Sequence, residues 1–410
     1  MFRLLAHILV CTLLCSCVWN DTENSPDFLS LDDSEYPYAN LPRLVIETEN
    51  FTQIRDKETK VPAKLQIYGK DRPESDVLDL SIKGRGNSSF IMAKHGFKLK
   101  FLQKQALFGM PTDKEWDLVA NQRDKSMLRN FITYKLAEIL EDSYTPRSQF
   151  VEVYLNREYL GVYQFVEHQK VSESRVNIAK NDSSYFFEKT SQTAKDGNLI
   201  KTKIGYIYEI RYPKNPTEES LNILKNHLDS FENFIQSKSI YSIDSIYHWI
   251  DLDDLIRYYW IQEFSMNQDG AFRRSQFVTW EKGYPMQMGP VWDFDLAYGL
   301  SSDTVVQPDS WYVKKYGWFR FLFKNKQVQE KVKAYWTENR AKFKSILEFI
   351  DQTYPQLSKA MDNEFKRWPV LGEDSFWPFI EAFNSYEDVV NALKAWIGQR
   401  LEWIDGNVAP

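Results

Sequence analysis

Apolar and polar residues alternate along most of the chain between positions 41 and 165, and this pattern predicts β-strands. The alternating segments read LPRLVIETEN, PAKLQIYG, VLDLSIKGRG and GFKLKFL, and the last of them turns Lys98 and Lys100 to the same face. KSMLRNFITYKLAEILED then shows the apolar spacing of a helix. QFVEVYLN and EYLGVYQFVE predict a hairpin with its turn near Asn156 and Arg157. We therefore expect a β-rich first part with one helix inserted before its last two strands.

After position 165 the pattern changes to helical periodicity. One more hairpin with a long polar loop is predicted in FFEKTSQTAKDGNLIKTKIGYIYEIRYP. Four later segments have the spacing of helices, namely NILKNHLDSFENFIQS, DLDDLIRYYWIQEFSM, QEKVKAYWTENRAKFKSILEFIDQTY and YEDVVNALKAWIGQRLEWID. The pattern thus predicts an α+β protein with a smaller β-rich lobe over residues 41–165, a larger, mainly helical lobe over residues 166–410, and a cleft between them.

The first residues, MFRLLAHILVCTLLCSC, combine an early arginine with a short apolar run, which is typical of a secretory signal rather than a membrane span. The final LCSC resembles a bacterial lipobox, so we predict a lipoprotein signal peptide over residues 1–16 and acylation of Cys17. The alternative is an ordinary signal peptide that happens to contain cysteine. All three cysteines of the chain lie in this segment, so a chain that starts at Cys17 keeps one thiol and no disulfide can form.

Residues 17–40 are acidic, polar and without periodicity, which predicts a flexible tether. Acidic residues soon after a lipidated cysteine also resemble the surface-export signals of Bacteroidota lipoproteins. These features predict a protein of the bacterial cell envelope that contacts the membrane only through lipid on Cys17. The outer membrane is the expected location, and exposure at the cell surface stays open.

Composition and charge exclude several classes of function. Hydrophobic residues make up 43% of the chain, which supports a folded protein. The net charge is −6 and no long basic run occurs, so a nucleic-acid partner is not expected. The sequence contains no Walker loop, HExxH, GxSxG or zinc-type cluster, and its five histidines are not spaced as metal ligands. Most metalloprotease and serine hydrolase functions are thereby removed.

The segment PVWDFDLAYG at residues 290–299 places Asp293 and Asp295 one residue apart in an apolar stretch. In an extended segment both carboxylates would share a face, with Trp292 and Phe294 on the other. Two buried carboxylates repel each other and lose hydration, so a cation is expected to compensate them. That cation is either a bound metal ion or an arginine such as Arg273 or its neighbour Arg274.

A second group of polar and basic residues, between positions 83 and 100, could bind an anion. The segment KGRGNSS ends a predicted strand, and its Arg85, Asn87 and Ser88 could donate to an anion, although a tight turn with polar residues is the better explanation of this stretch taken alone. Three lysines follow, whose alternative role is the solvated face of a strand: Lys94, Lys98 and Lys100.

Two further acids have structural alternatives. Asp124 is expected to cap the helix that follows it, and Arg129 within that helix needs a partner if it is buried. Glu167 ends a strand, where it could be a structural acid between the lobes or a functional one.

Asn267 and Asp269 end a helix about two dozen residues before Asp293. Oxygen ligands of these types hold Mg²⁺, and phosphoryl transfer uses the same set as metal ligands and as a base. A glycine turn, a lysine strand, a helix, two strands and a helical part with these acids follow one another in the order of a protein kinase. The H-R-D motif is absent, so the chain would be an atypical kinase.

At this point the sequence resembles the spore coat protein H (CotH) kinase family. The resemblance rests on LPRLVIET, KGRGNSSF, KHGFKLKF, WDLVANQRDKSMLRN, YLGVYQFVEH, NQDG, VWDFDLAYG and LKAWIGQRLEWID, which together span residues 41–405. It implies an atypical, kinase-like two-lobed fold that uses ATP with Mg²⁺ or Mn²⁺ to phosphorylate hydroxyl groups of secreted proteins. The spore coat context does not carry over, because a lipobox indicates an envelope protein.

The resemblance also implies roles for individual residues. Asp293 and Asp295 would bind metal, and Asp269 with Asn267 would take the catalytic or second metal position. The remaining positions would bind or neighbour the nucleotide, without a choice among the lysines: Arg85, Asn87, Ser88, Lys94, Lys98, Lys100 and Glu167. The chain departs from the family at Lys94-His95-Gly96-Phe97 and at Gln268, but neither departure removes an acid.

Two classes of function therefore stay open. The first is a metal-dependent phosphotransferase, or a variant that transfers the nucleotide with the same residues. The second is a non-catalytic surface protein on the same scaffold, whose aromatic residues contact a glycan or a protein. Packing in the core is the alternative role for these aromatic residues, among them Trp260, Trp311, Trp318 and Trp377.

Overall fold

The six strand segments predicted in the first part form a closed, seven-stranded barrel together with one strand that was not predicted, DKEWDLV, in the strand order β1-β2-β3-β4-β5-β7-β6. The computed structural model describes residues 31–191, 198–301, 305–373, 375–376, 379–380 and 382–408. All elements belong to the unit Asp32–Pro410. The barrel strands are β1 (Arg43–Thr48), β2 (Val61–Tyr68), β3 (Leu78–Arg85), β4 (Gly96–Gln105), β5 (Asp113–Val119), β6 (Ser148–Leu155) and β7 (Glu158–Glu167).

Strand β4 shows how the alternation is used. Phe97, Leu99 and Phe101 are buried in the barrel core. On the other face, Lys98 is half-buried and Lys100 is exposed. Every pairing in the barrel is antiparallel except that of β1 with β6. The predicted faces of this strand are confirmed.

The predicted helix before the last two strands is α1 (Arg129–Ile139). Its first backbone N–H, that of Arg129, donates to the Asp124 carboxylate over 2.8 Å, and the Arg129 guanidinium pairs with the same carboxylate. The capping role predicted for Asp124 is therefore confirmed. The β6–β7 hairpin is confirmed as well, with Asn156 and Arg157 at φ 52° and 71° in its turn.

The second part contains six helices among the described residues and also a five-stranded sheet. The helices are α2 (Glu218–Phe234), α3 (Ile243–Trp249), α4 (Leu252–Ser265), α5 (Phe319–Leu322), α6 (Lys326–Arg367) and α7 (Tyr386–Asn407). The sheet has the order β12-β11-β8-β10-β9. Its strands are β8 (Ser184–Thr190), β9 (Leu199–Lys201), β10 (Ile207–Tyr212), β11 (Gln276–Glu281) and β12 (Gln287–Met288).

This sheet corrects the sequence prediction in one respect. The hairpin predicted from the sequence is β8 paired with β10, but β11 also pairs with β8, and its segment QFVTWE was not predicted to be a strand. A two-stranded pair, β13 (Ser375–Phe376) with β14 (Phe379–Ile380), completes the described strands. The α+β class is confirmed.

Helix α6 is longer than its periodicity predicted, because it continues through Pro355 to Arg367. Proline removes one intrahelical hydrogen bond. Buried Leu357, Ala360 and Met361 beyond it supply the packing that outweighs the loss. The extension brings the last turns of α6 against β7 of the barrel.

The C-terminal end of the predicted tether packs on the fold. Tyr36 stacks on Tyr159 at 4.2 Å between ring centroids, and Asp33 pairs with Arg43 at 2.5 Å. The flexible segment predicted over 17–40 is therefore shorter at this end, while its earlier residues and Cys17 lie outside the described residues. Among the described residues, no helix combines the length and apolar composition needed to cross a membrane.

Candidate functional site

A cavity of about 1040 Å³ is walled by residues from both parts of the chain. The barrel contributes residues of β3, β4 and β5, and the second part contributes the ends of β8 and β10 and the loops that follow α4 and β12. Cavities of about 300–1,000 Å³ hold small-molecule ligands in other proteins. This cavity is therefore large enough for a nucleotide.

The wall of the cavity is positively charged, in contrast to the chain as a whole. It contains eleven lysines and arginines but seven aspartates and glutamates, an excess of four positive charges. The full chain carries a net charge of −6. A concave surface with an opposite charge to the rest of the molecule attracts anions.

Both carboxylates of the segment WDFD line this cavity. The segment is not a strand, because Asp293 has a φ of 69°, so the expected alternation of faces is wrong and Trp292 lines the cavity as well. The Ser275 hydroxyl donates to Asp293 over 2.8 Å. The Phe294 N–H donates over 2.7 Å to the side-chain oxygen of Asn130 on α1, which fixes the backbone between the two aspartates.

Asn267 supports the site from behind. It is buried and does not line the cavity. Its side-chain oxygen accepts the Asp269 N–H over 3.1 Å, and its side-chain nitrogen donates to the Asp293 carbonyl over 3.3 Å. Asn267 thus ties two acidic segments together, and the metal-ligand role predicted for it has no geometric support in this arrangement.

Asp269 lies in the cavity wall beside Arg274, with 3.3 Å between Oδ1 and Nε. Burial and the neighbouring Asp293 raise the pKa of Asp269 to about 6, although Arg274 and Arg273 oppose the shift. The same two causes, burial and Asp293, raise the pKa of Asp295 to about 8 against the opposing charge of Arg123. On this side of the cavity, the neighbouring arginines therefore do not fully compensate the carboxylates.

The residues present fit a divalent cation held jointly with a ligand. Among the described residues, no three His, Cys, Asp or Glu side chains converge as a complete metal site. Mg²⁺ is usually held by one or two carboxylates together with water and substrate phosphates. Asp293 and Asp295 supply that number of carboxylates, so metal binding is expected to depend on a phosphorylated ligand.

The raised pKa of Asp295 predicts a stabilising variant. Because the folded protein binds this proton more tightly than the unfolded chain, stability falls as pH rises from the unfolded value of about 4 to about 8. Asp295→Asn removes this cost. At pH 9 without metal, its free energy of unfolding should exceed that of wild type by at least about 1.4 kcal/mol, the equivalent of one pKa unit. Urea unfolding at pH 9 and pH 5 tests this, since the gain should shrink at pH 5; an equal gain at both pH values would contradict it.

Donor groups predicted for an anion also line the cavity: Arg85, Asn87 and Ser88. Gly86 between them has a φ of 104°, which side chains rarely adopt, so the turn needs glycine at this position. Nε of Arg85 lies 3.6 Å from Asp117 Oδ1. The structure therefore brings this turn to the same cavity as the acidic segment, more than 170 residues away along the chain.

The structure distinguishes the three lysines. Lys98 lines the cavity, and its ammonium lies 2.7 Å from Glu115. Lys94 also borders the cavity, but its ammonium is buried on Glu364 of α6 at 2.7 Å and donates to the Val162 carbonyl over 2.6 Å. Lys100 is exposed and does not line the cavity. Of the three lysines, only Lys98 has an ammonium group placed to contact a ligand in the cavity.

Glu167 is buried outside the cavity wall. It pairs with Arg147 at 3.0 Å and with Arg175 at 3.7 Å, and it accepts hydrogen bonds from Tyr144 and from the Arg147 backbone. These contacts hold the end of β7 in place. The nucleotide contact predicted for Glu167 has no geometric support.

Sequence reasoning missed several cavity residues that are charged or polar: Glu115, Asp117, Arg123, His168 and Ser275. Alternation along β5 put Glu115 and Asp117 on one face, which was the available signal. Arg123 carried no comparable signal, because its partners lie far along the chain. Burial lowers the pKa of Arg123 while Asp295, Asp269 and Asp293 oppose that shift.

Fold and site together define an α+β protein with a cavity suited to an anionic ligand. The chain belongs to the CotH kinase family: the family model described as CotH kinase protein matches residues 82–404, from β3 to α7. A search for curated relatives found no match. Membership of this family confirms the resemblance found in the sequence.

Proposed function

We propose that this protein is an atypical, kinase-like phosphotransferase that uses ATP with a divalent metal to modify protein hydroxyl groups. The observation that carries the proposal is one cavity lined both by the carboxylates Asp269, Asp293 and Asp295 and by the cations Arg85 and Lys98. Phosphoryl transfer needs acids on one side of the phosphates and cations around them. We extend the proposal to a two-lobed arrangement, with the barrel as the smaller lobe.

In this proposal Lys98, Arg85 and the turn at Asn87 and Ser88 bind the phosphate oxygens. Asp293 and Asp295 would hold Mg²⁺ or Mn²⁺, which when bound neutralises phosphate charge. The raised pKa of Asp295 supports this assignment, because a cation relieves the repulsion from Asp293 that contributes to it. Trp292, in the same wall, could pack against the nucleotide.

Asp269 is the proposed base. An acceptor hydroxyl attacks the terminal phosphorus, the new P–O bond forms as the bond to the leaving ADP breaks, and the hydroxyl proton passes to the Asp269 carboxylate. A pKa of about 6 suits this role, because a base works best with a pKa close to the working pH. Arg274 holds the carboxylate in place, and Asn267 holds its backbone.

Transfer of the nucleotide instead of the phosphoryl group would use the same residues, so product analysis must separate the two.

The non-catalytic alternative has lost part of its support. Trp260 and Trp318 are buried in the core, Trp311 is half-buried, and Trp377 lies outside the described residues. Trp260, Trp311 and Trp318 do not line the cavity.

We further propose that the protein acts in the bacterial envelope, at the outer membrane, anchored by lipid on Cys17 after removal of residues 1–16. Its substrates would then be proteins of the envelope or outside the cell. The support is the amino-terminal sequence alone, which lies outside the described residues. Mass spectrometry of the mature amino terminus tests it, since a lipid-modified Cys17 is expected at the first position.

A matched pair of variants tests the nucleotide site. Lys98→Met should raise the Kd for ATP with Mg²⁺ about 10- to 100-fold, as hydrogen bonds to charged groups contribute about 1.5–3 kcal/mol. Lys100→Met, two residues along the same strand but outside the cavity, should leave the Kd within about twofold. Titration calorimetry on the full chain measures both, and equal effects of the two variants would contradict the site.

A further inference from the structure

A chain of polar contacts runs along the cavity side of the barrel. The Lys98 ammonium lies 2.7 Å from Nε2 of His168, and Nδ1 of His168 lies 3.0 Å from Oδ2 of Asp117. The other oxygen of Asp117 is 3.6 Å from Nε of Arg85. These residues come from β3, β4, β5 and the position after β7, so the chain links the two proposed phosphate-binding cations across neighbouring strands.

The contact with Lys98 fixes the protonation of His168. An ammonium group only donates hydrogen bonds, so Nε2 of His168 must accept and the ring must be neutral. The remaining proton lies on Nδ1 and is donated to Asp117. Burial also lowers the pKa of His168, although Asp117 opposes the shift, and this direction favours the neutral ring.

We propose that His168 is a positioning residue that directs the Lys98 ammonium toward the phosphates of the bound nucleotide. The inference rests on the proposed function, because it takes Lys98 as a phosphate ligand. No motif of the sequence and no part of the proposed mechanism assigned a role to this histidine. It touches Lys98, not the reacting atoms, and acts through that side chain.

The choice of a neutral acceptor has a physical reason. A lysine side chain loses rotamer freedom when it is fixed, so fixing it before binding favours affinity. Glu115 already neutralises Lys98 at 2.7 Å. A second carboxylate in place of His168 would hold the ammonium equally well but would repel the incoming phosphate, whereas imidazole adds direction without negative charge.

A double-mutant cycle on the full chain tests the inference. His168→Phe removes both hydrogen bonds and keeps a ring, and we expect the Kd for ATP with Mg²⁺ to rise about tenfold. In the Lys98→Met background the same change should have no further effect, since nothing is left to position. His168→Gln, which can accept from Lys98 and donate to Asp117, should recover most of the affinity, and exposed His248→Phe serves as the control.

A pH series adds a readout that a merely structural role would not change. The groups that face the imidazole are Lys98 from β4 and Glu115 with Asp117 from β5, and Arg175 donates to the His168 carbonyl over 2.7 Å. Protonation of His168 removes the acceptor at Nε2, and the charged ring then repels the Lys98 ammonium. Wild-type affinity should therefore fall below the pKa of His168 more steeply than that of His168→Phe.

The outcomes separate this inference from the function on which it rests. An equal fold-change for His168→Phe in the wild-type and Lys98→Met backgrounds would show that the histidine only supports the fold, and would overturn the inference while nucleotide binding stands. Parallel pH profiles for wild type and His168→Phe would overturn it in the same way. A wild-type protein that binds no ATP with Mg²⁺ would overturn the proposed function and this inference together.

Discussion

Asp293→Asn is expected to lower the rate of phosphoryl transfer about 10³-fold, which corresponds to about 4 kcal/mol of lost transition-state stabilisation. The substitution removes one of two carboxylates that would hold the metal on the phosphates. Asparagine is the suitable replacement, because Asp293 has a φ of 69° and asparagine tolerates this conformation. Its side-chain oxygen can still accept from Ser275, so the fold should persist.

Two measurements check this expectation. Phosphate incorporated into the protein itself or into an added acceptor protein is followed by mass spectrometry, which also distinguishes phosphoryl from nucleotidyl products. Thermal unfolding is recorded with Mg²⁺ and ATP, separately and together. A ligand at about a hundred times its Kd adds about 2.7 kcal/mol of stability, or a few degrees for a chain of this size.

The increase in the unfolding temperature of the wild-type protein should require both Mg²⁺ and ATP, and it should be lost in Asp293→Asn. The control is Asp362→Asn, an exposed aspartate on α6 that does not line the cavity. A variant that retains the shift and the rate of the wild type would remove Asp293 from the site. Absence of a shift in the wild-type protein at millimolar ligand would contradict the phosphotransferase and return attention to a binding function.

Glu364→Gln is expected to destabilise the fold by about 3–5 kcal/mol, the cost of leaving one partner of a buried ion pair unpaired. Oε1 of Glu364 lies 2.7 Å from the Lys94 ammonium, and Oε2 accepts the Val162 N–H over 2.7 Å. Both side chains are almost completely buried. Burial lowers the pKa of Lys94 and raises that of Glu364, while each charge opposes the shift of the other.

The double variant Lys94→Met with Glu364→Gln should cost less than the sum of the single variants, because it removes both charges and keeps an acceptor for Val162. Urea unfolding of the four proteins measures the coupling. The control is Lys394→Met, which breaks an exposed pair with Asp351 and should cost about 1 kcal/mol or less. A cost for Glu364→Gln as small as that of the control would contradict the role given to the buried pair.

The same pair explains why residue 161 is a glycine in this fold. A Cβ atom added to Gly161 would lie 2.2 Å from the Glu364 carboxylate, so the close approach of α6 to β7 needs glycine there. The pair therefore joins the barrel to the long helix of the second part at a point where the backbones come close. Lys94 serves that junction, which is why its ammonium is not available to a ligand.

The sequence alone determined most of the local structure. Alternation and helical spacing were sufficient for six of the seven barrel strands, for α1, for the β6–β7 turn and for the four longer later helices, because each depends on residues close together in the chain. Strand β5 and the short helices α3 and α5 were not predicted. Strand β11 was missed because it takes its place in the sheet by pairing with β8, nearly a hundred residues earlier. The chemical types at the site, two aspartates and a glycine turn with basic residues, were also visible in the sequence.

Only the tertiary structure decided which of these residues share one cavity. Lys94, Lys98 and Lys100 were indistinguishable in the sequence, and the choice follows from a glutamate 270 residues after Lys94 and from the position of Lys98 beside His168. Asn267 and Glu167 had suitable chemistry, but neither lines the cavity, because their side chains are used in contacts within the protein. The physical reason is common to all of them: a polar group is available to a ligand only where folding leaves its side chain accessible, as for Lys98 but not for Lys94, and the residues that bury the others come from distant parts of the chain.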